Sequence, residues 1–128
     1  AISLTDNIDE RNSVKISGQI KDVNFEGYLD EKEIRRYDKY IQFGYTAAQV
    51  AVADAGLENA DIDPYRIGVM VSSAAGGFTT LEKNEATILE RGPLKCSPFA
   101  VPMMIANMAS GKVSIKYPTI KKIQIIML

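Results

Sequence analysis

The order of apolar and polar residues predicts a strand followed by a helix in the first third of the chain. Residues 14–20, VKISGQI, alternate apolar and polar side chains, which is typical of a short strand. Farther along, Asp30 precedes Glu31 and Glu33 in the stretch YLDEKEIRRYD. An Asp followed by acidic residues favours the start of a helix, because oxygen acceptors and negative charge stabilise the free N–H groups of its first turn.

A second, longer helix is predicted directly after the first. It begins at Asp38 and ends at Gly56, a residue type that favours the left-handed conformation at a helix end. Apolar residues recur between these limits at the spacing of one helix face: Ile41, Tyr45, Ala48 and Val52.

The remainder of the chain continues the alternation of strands and helices. The apolar run RIGVMVSS (66–73) predicts a strand buried on both faces, and a glycine turn leads from it into a helix over TTLEKNEATILERG (79–92). Pro102 suits the first turn of a helix PMMIANMAS that stops at Gly111, and KVSIKY (112–117) alternates as a strand. Strands separated by helices indicate an α/β layered fold in one domain.

Charge and composition exclude several classes of function. The 128 residues carry 15 basic and 16 acidic side chains, so the overall charge favours neither nucleic acid nor an anionic membrane as a partner. No apolar run approaches the roughly 20 residues of a membrane span, and AISLTDNIDE does not resemble a signal peptide, so we expect a cytoplasmic protein. Histidine is absent and Cys96 is the single cysteine, which excludes a Cys-His pair and an internal disulfide; no metal or cofactor is expected.

Three long blocks, in order, resemble one known family. They are residues 14–57, from VKISGQI to VADAGL; residues 66–84, RIGVMVSSAAGGFTTLEKN; and residues 91–117, RGPLKCSPFAVPMMIANMASGKVSIKY. Together they are similar to the N-terminal half of a β-ketoacyl-[acyl carrier protein] synthase, in particular to the type II elongating enzymes of fatty-acid synthesis.

The resemblance implies a thiolase-like layered α/β fold, of which part of the N-terminal half is present, and a homodimeric acyltransferase. This family elongates fatty-acyl chains by decarboxylative Claisen condensation of malonyl carrier protein with an acyl thioester on a cysteine. The resemblance ends at Tyr117, so we expect a partial domain over residues 1–117 and an unrelated tail over residues 118–128, through a frameshift, a truncation or an incompletely read sequence. The family's nucleophilic cysteine, two histidines and lysine are then absent, and the chain is expected to be inactive alone.

The resemblance also assigns two candidate sites. Basic residues by which the family holds the acidic acyl carrier protein match Lys32, Arg35, Arg36 and Lys95, and the first three share one helix face. Leu94 stands where a further base is often found, which weakens this patch. The acyl pocket or dimer interface matches Ala75, Phe99, Ala100 and Val101, although apolar residues at these places would equally serve as core.

The sequence also allows alternatives to a condensing enzyme. Cys96 lies in the loop GPLKCSPF beside Lys95 but without a neighbouring base, so a small apolar loop residue is the preferred interpretation and a nucleophile the other. The chain as a whole is interpreted as a piece of a type II condensing enzyme, as a non-catalytic module that binds carrier protein or another synthase subunit, or as a nonfunctional fragment.

Overall fold

Helices account for most of the regular structure. The computed structural model describes residues 3–4, 9–117 and 122–123. The α-helices in these ranges are α1 (Glu31–Arg36), α2 (Lys39–Asp54), α3 (Phe78–Arg91), α4 (Ala100–Met104) and α5 (Met108–Lys116). The strands are β1 (Ser3–Leu4), β2 (Ile16–Ser17), β3 (Gly68–Val69) and β4 (Lys122–Ile123). Single 3₁₀ turns occupy Leu57–Asn59, Pro64–Arg66 and Pro93–Lys95.

Helix α1 begins where the sequence predicts. The Asp30 side chain accepts a hydrogen bond of 2.7 Å from the Glu33 N–H, and the Glu33 carboxylate accepts one of 3.1 Å from the Asp30 N–H. This reciprocal capping box satisfies two N–H groups that a helix start otherwise leaves free, and such a cap is worth about 1 kcal/mol. It fixes the start of the segment that carries Lys32, Arg35 and Arg36.

Helix α2 is the centre of the packing. Asp38 caps its start, and Gly56 ends it with a φ of 64°, in the left-handed region that glycine adopts without steric cost. Ile41 and Tyr45 are buried, and Ala48 and Val52 are half-buried, which confirms the predicted face. This face packs against α5, and a cluster around Tyr45 forms the core: Phe25, Leu29, Tyr45, Val69 and Val113.

The predicted strands are shorter than expected. Of residues 14–20, only Ile16 and Ser17 pair, in antiparallel register with Leu4 and Ser3. β3 pairs in parallel with β4, which is the described part of the predicted tail; the rest of residues 118–128 lies outside the described residues. The prediction that residues 66–73 are buried on both faces was wrong: Val69 is buried, whereas the neighbouring Met70 is 57% exposed, because α5 contacts β3 and covers one face.

The segment after Pro102 differs most from the prediction. The expected single helix is two helices, with a break over residues 105–107, and Gly111 lies inside α5. The prediction of a strand over KVSIKY was wrong, because residues 112–116 continue α5 and Tyr117 caps its end. Helical spacing places Ala109, Val113 and Tyr117 on one face, with the first two buried against the core, and burial of this face outweighs the alternating pattern.

Two glycines bring the start of α3 against the end of α4. The Gly77 N–H donates a hydrogen bond of 2.9 Å to the Met104 carbonyl, and Gly76 has a φ of 66°. A Cβ at Gly76 would lie 2.0 Å from the Met104 oxygen, and one at Gly77 would lie 2.3 Å from the Met103 oxygen. Only glycine permits this approach, which sets the distance between α3 and α4.

Candidate functional site

A cleft of about 390 Å³ lies where the end of α1, the start of α2, α3 and the turn Pro93–Lys95 meet. Three of the four residues predicted to hold the carrier protein reach it, and Lys32 lies exposed on α1 outside its lining. Two further cations from α2 and α3 complete a set of five, and we call this site the basic cleft: Arg35, Arg36, Lys39, Lys83 and Lys95.

The five cations differ in what holds them. Arg35 donates to the Glu31 carboxylate at 3.1 Å, one helical turn earlier. The guanidinium carbon of Arg36 lies 3.8 Å from the centre of the Phe99 ring, a cation–π contact that restrains its side chain. The Lys39 ammonium lies 5.5 Å from the centre of the Phe25 ring, which does not line the cleft. In the part of the chain that the structure describes, Lys39, Lys83 and Lys95 make no ion pair with a carboxylate.

Sequence reasoning missed Lys39 and Lys83. Lys39 lies three residues after Arg36 and directly after Asp38, the cap of α2. Its closeness to the arginines in the sequence could have indicated that it belongs to the same site. Lys83 belongs to α3, and no local pattern connects it with α1. Only the packing of α3 beside the start of α2 brings its side chain into the same lining.

One carboxylate, that of Asp38, lines the basic cleft and is 8% exposed. It accepts hydrogen bonds from the Tyr40 N–H at 3.3 Å, from the Thr80 N–H at 2.8 Å and from the Thr80 hydroxyl at 2.7 Å. Beside it, the amide nitrogen of Gln42 donates to the carbonyls of Ile34 and Tyr37, at the end of α1. The base of the cleft is therefore held by contacts among three helices.

An apolar groove of about 520 Å³ lies on the other side of α3, between α3 and α4. Ala100 and Val101, two of the predicted acyl-pocket or interface residues, line it together with Leu81, Ile88, Leu89 and Met104. Phe99 instead stacks on Arg36, and Ala75 lies exposed in the turn before Gly76 and lines neither the basic cleft nor the groove. The structure thus brings two of these four residues together.

Cys96 lies at the edge of the apolar groove, after the turn Pro93–Lys95. Its thiol donates to the Asn84 side-chain oxygen at 3.2 Å, which also accepts from the Ser97 N–H at 3.0 Å. This partner is an amide and not a base, and the chain holds no histidine to activate the thiol. The contacts match those of a structural loop residue.

Among residues 9–117 and the two short strands, no group of three or more Cys, Asp or Glu side chains is arranged to hold a metal ion. None of the helices in that part of the chain is both long and apolar enough to span a bilayer.

Comparisons with known proteins identify the family. Residues 3–119 match the family model of the beta-ketoacyl synthase N-terminal domain. The 3-oxoacyl-[acyl-carrier-protein] synthase 2 of Staphylococcus aureus strain N315 is 44% identical over 103 residues, which are 80% of this chain and 25% of that protein. The enzyme of the same name from Synechocystis sp. is 41% identical over 101 residues, 79% of this chain and 24% of that protein. The chain thus spans about a quarter of the length of these relatives.

Solved structures give the fold. A β-ketoacyl synthase from Burkholderia phymatum matches with a TM-score of 0.71 at 20% identity, over 99% of this chain and 31% of that chain. A type II PKS ketosynthase, solved in complex with its acyl-carrier protein and bound to the hexaketide, also gives 0.71 at 20% identity, over 82% of this chain and 30% of that chain. These likenesses confirm the predicted thiolase-like α/β fold in partial form, and the chain belongs to the family of β-ketoacyl synthase N-terminal domains.

Proposed function

We propose that this chain is part of a 3-oxoacyl-[acyl-carrier-protein] synthase, which elongates fatty-acyl chains by decarboxylative condensation of malonyl carrier protein with an enzyme-bound acyl thioester. The names of relatives that are 41–44% identical support this activity for the whole protein. The family resemblance implies that the whole enzyme would be a cytoplasmic homodimer.

Within that enzyme, the basic residues on and around α1 would dock the acyl carrier protein. The observation that carries this role is the meeting of Arg35, Arg36 and Lys95 at one cleft, with Lys32 exposed on the same α1. Such a cationic surface complements an acidic partner, and a related ketosynthase was solved in complex with its acyl-carrier protein. Contacts between exposed charges are weak and are screened over about 8 Å at physiological ionic strength.

The 128 residues would contribute binding and not bond formation. Condensation on a cysteine needs an activated thiolate, and the single thiol here, Cys96, bonds to an amide oxygen. A basic cleft on a chain without a catalytic pair also favours the second candidate function, a non-catalytic module that binds carrier protein. Both functions predict that the chain alone forms no ketoacyl product; turnover that disappears in Cys96→Ala would contradict both.

The apolar groove would hold an acyl chain or a partner subunit in the complete enzyme. Ala100 and Val101 line it, which supports a role for them, and its size and apolar walls suit either occupant. Ala75 and Phe99 stay candidates from the family resemblance, although they lie outside this groove.

The docking role is tested by titrating labelled acyl carrier protein with the chain at low salt. The variant is Lys32→Glu combined with Lys95→Glu. Both side chains are exposed, whereas Arg35→Glu would face Glu31 one turn away and Arg36→Glu would lose the Phe99 contact. We expect weak binding by the wild type that falls as salt rises, and none by the double variant.

The control for this titration is Lys116→Glu, which reverses one exposed charge at the end of α5, outside the cleft. It should bind carrier protein like the wild type. No binding by the wild type, or equal binding by the wild type and the double variant, would refute the docking role.

A further inference from the structure

The basic cleft concentrates positive charge beyond what the protein itself neutralises. Five cations line it against one carboxylate, Asp38, which already accepts three hydrogen bonds. Four of the five cations make no ion pair with a described carboxylate, since only Arg35 is paired, with Glu31. Like charges held around one cavity repel one another, and an anion in the cavity relieves that repulsion.

From this arrangement we propose that the basic cleft binds a small phosphate-class anion, such as a diphosphate group, without any protein partner. The cleft is a concave cavity of about 390 Å³ and not a flat basic patch, so an anion inside it can be contacted from α1, α3 and the turn Pro93–Lys95 at once. A flat patch suits the acidic surface of a protein; a cavity with donors on several sides suits a compact ion.

The donor types match phosphate oxygens. Arg36 offers a planar fork of N–H donors, restrained by Phe99, and Lys83 and Lys95 add point charges. Thr79 and Ser97 also line the cleft; the Ser97 hydroxyl accepts from the Phe99 N–H and keeps its own proton to donate. A phosphate group carries up to two negative charges and three acceptor oxygens, so it uses more of these donors than one carboxylate does.

The test is isothermal titration of the 128-residue chain with inorganic diphosphate at low ionic strength. The matched variant is Lys83→Gln combined with Lys95→Gln, which removes two cleft charges from exposed side chains. We expect saturable binding by the wild type and a dissociation constant raised about tenfold or more in the double variant, because each charge-assisted contact contributes on that scale. An unchanged far-UV circular dichroism spectrum shows that the variant is folded.

Two controls test where the anion binds and which type of anion the cleft prefers. Lys116→Gln removes an exposed charge outside the cleft and should bind diphosphate like the wild type. Citrate, a tricarboxylate whose charge near neutral pH is comparable to that of diphosphate, should bind much more weakly than diphosphate. No saturable binding, a loss of affinity in Lys116→Gln equal to that in the double variant, or equal affinity for citrate would overturn the proposal.

A third variant separates this proposal from carrier-protein docking. Lys32 lies on α1 outside the cleft lining, so Lys32→Gln should weaken carrier-protein docking and leave diphosphate binding unchanged. The titration with diphosphate contains no carrier protein, so either proposal can fail without the other. Loss of diphosphate binding in Lys32→Gln would show that the anion binds on the open face of α1 and would refute the cleft as its site.

Discussion

The Asp38 carboxylate accepts hydrogen bonds from both the backbone N–H and the hydroxyl of Thr80, at 2.8 and 2.7 Å. Thr80 lies in the first turn of α3, whose own preceding residue, Gly77, has no side chain to cap it. The same carboxylate caps α2 through the Tyr40 N–H. One buried aspartate therefore caps two helices and stabilises the start of both through their dipoles.

Replacing Asp38 should destabilise the protein more than replacing an ordinary cap. For Asp38→Ala we expect a loss of about 3 kcal/mol in the free energy of unfolding, from two lost caps and a Thr80 left without its acceptor. Urea titration followed by circular dichroism measures it. The control is Asp30→Ala, whose exposed cap serves α1 alone and should cost about 1 kcal/mol. Equal losses in the two variants would contradict the double role of Asp38.

The close approach of α3 and α4 predicts that Gly77 cannot be enlarged. In Gly77→Ala the new Cβ would lie 2.3 Å from the Met103 carbonyl oxygen, a backbone atom that cannot move alone. We expect a loss of about 2 kcal/mol in stability by urea titration, in the range of an overpacked core. The control, Gly18→Ala, adds a Cβ with nothing within 4 Å and should change stability by no more than about 0.5 kcal/mol. An unchanged stability of Gly77→Ala would show that α4 can move away from α3 at no cost.

Local sequence signals predicted the starts of α1 and α2 and the end of α2 well, and the last helix badly. Asp30, Asp38 and Gly56 act within a few residues of themselves, so their spacing alone determines the result. The stretch after Ala109 contains two periods: Val113, Ile115 and Tyr117 alternate like a strand, while every fourth residue from Ala109 forms a helix face. Packing of this stretch against α2 selects the helix, and no local window contains that contact.

The candidate site was likewise predicted where local sequence signals suffice and missed where it depends on tertiary contacts. The spacing of Lys32, Arg35 and Arg36 on α1, with the family resemblance, indicated a basic surface. The cavity behind it depends on Lys83 and on the cap between Asp38 and Thr80, which join segments distant in the sequence. The contact between Arg36 and Phe99 likewise joins a residue predicted for docking to one predicted for the acyl pocket.

A charged contact between α5 and α1 predicts a dependence of stability on pH. The Lys112 ammonium pairs with the Glu33 carboxylate and lies 5.0 and 4.9 Å from the ring centres of Tyr37 and Tyr45. Burial alone lowers the pKa of Lys112, but the hydrogen bond to Glu33 and the charges of Glu33 and the two tyrosines outweigh it, so its pKa lies above the ordinary 10.5. Folding therefore favours the charged lysine.

We expect Lys112→Met to be less stable than the wild type at pH 8, because it removes the ion pair with Glu33. A lysine whose pKa is raised by folding contributes its full stability below pH 10.5 and loses it as the pH rises through the raised pKa. The difference in stability between the wild type and Lys112→Met should therefore shrink above pH 10.5. Urea midpoints from pH 8 upward measure it. Lys116→Met, exposed on the same helix, is the control and should show a small, constant difference. A difference for Lys112→Met that is equally constant would refute the contribution of this charge.

The apolar groove predicts that the chain associates with itself in solution. Leu89 and Val101 on its two walls are 79% and 62% exposed, and apolar side chains exposed together on one groove favour association. We expect Leu89→Glu combined with Val101→Glu to shift the protein toward monomer, because burying two carboxylates in a contact costs more than the apolar surface gains. Sedimentation velocity over a range of concentrations measures the shift.

The control for this shift is Ile20→Glu, since Ile20 is 66% exposed but belongs to the segment before α1 and not to the groove. If the groove is the contact surface, Ile20→Glu associates like the wild type, and association of the wild type strengthens from 5 to 25 °C, as hydrophobic contacts do. A wild type that sediments as a monomer at every concentration would exclude the contact. An equal shift in both variants would show that added negative charge, and not the groove, controls association.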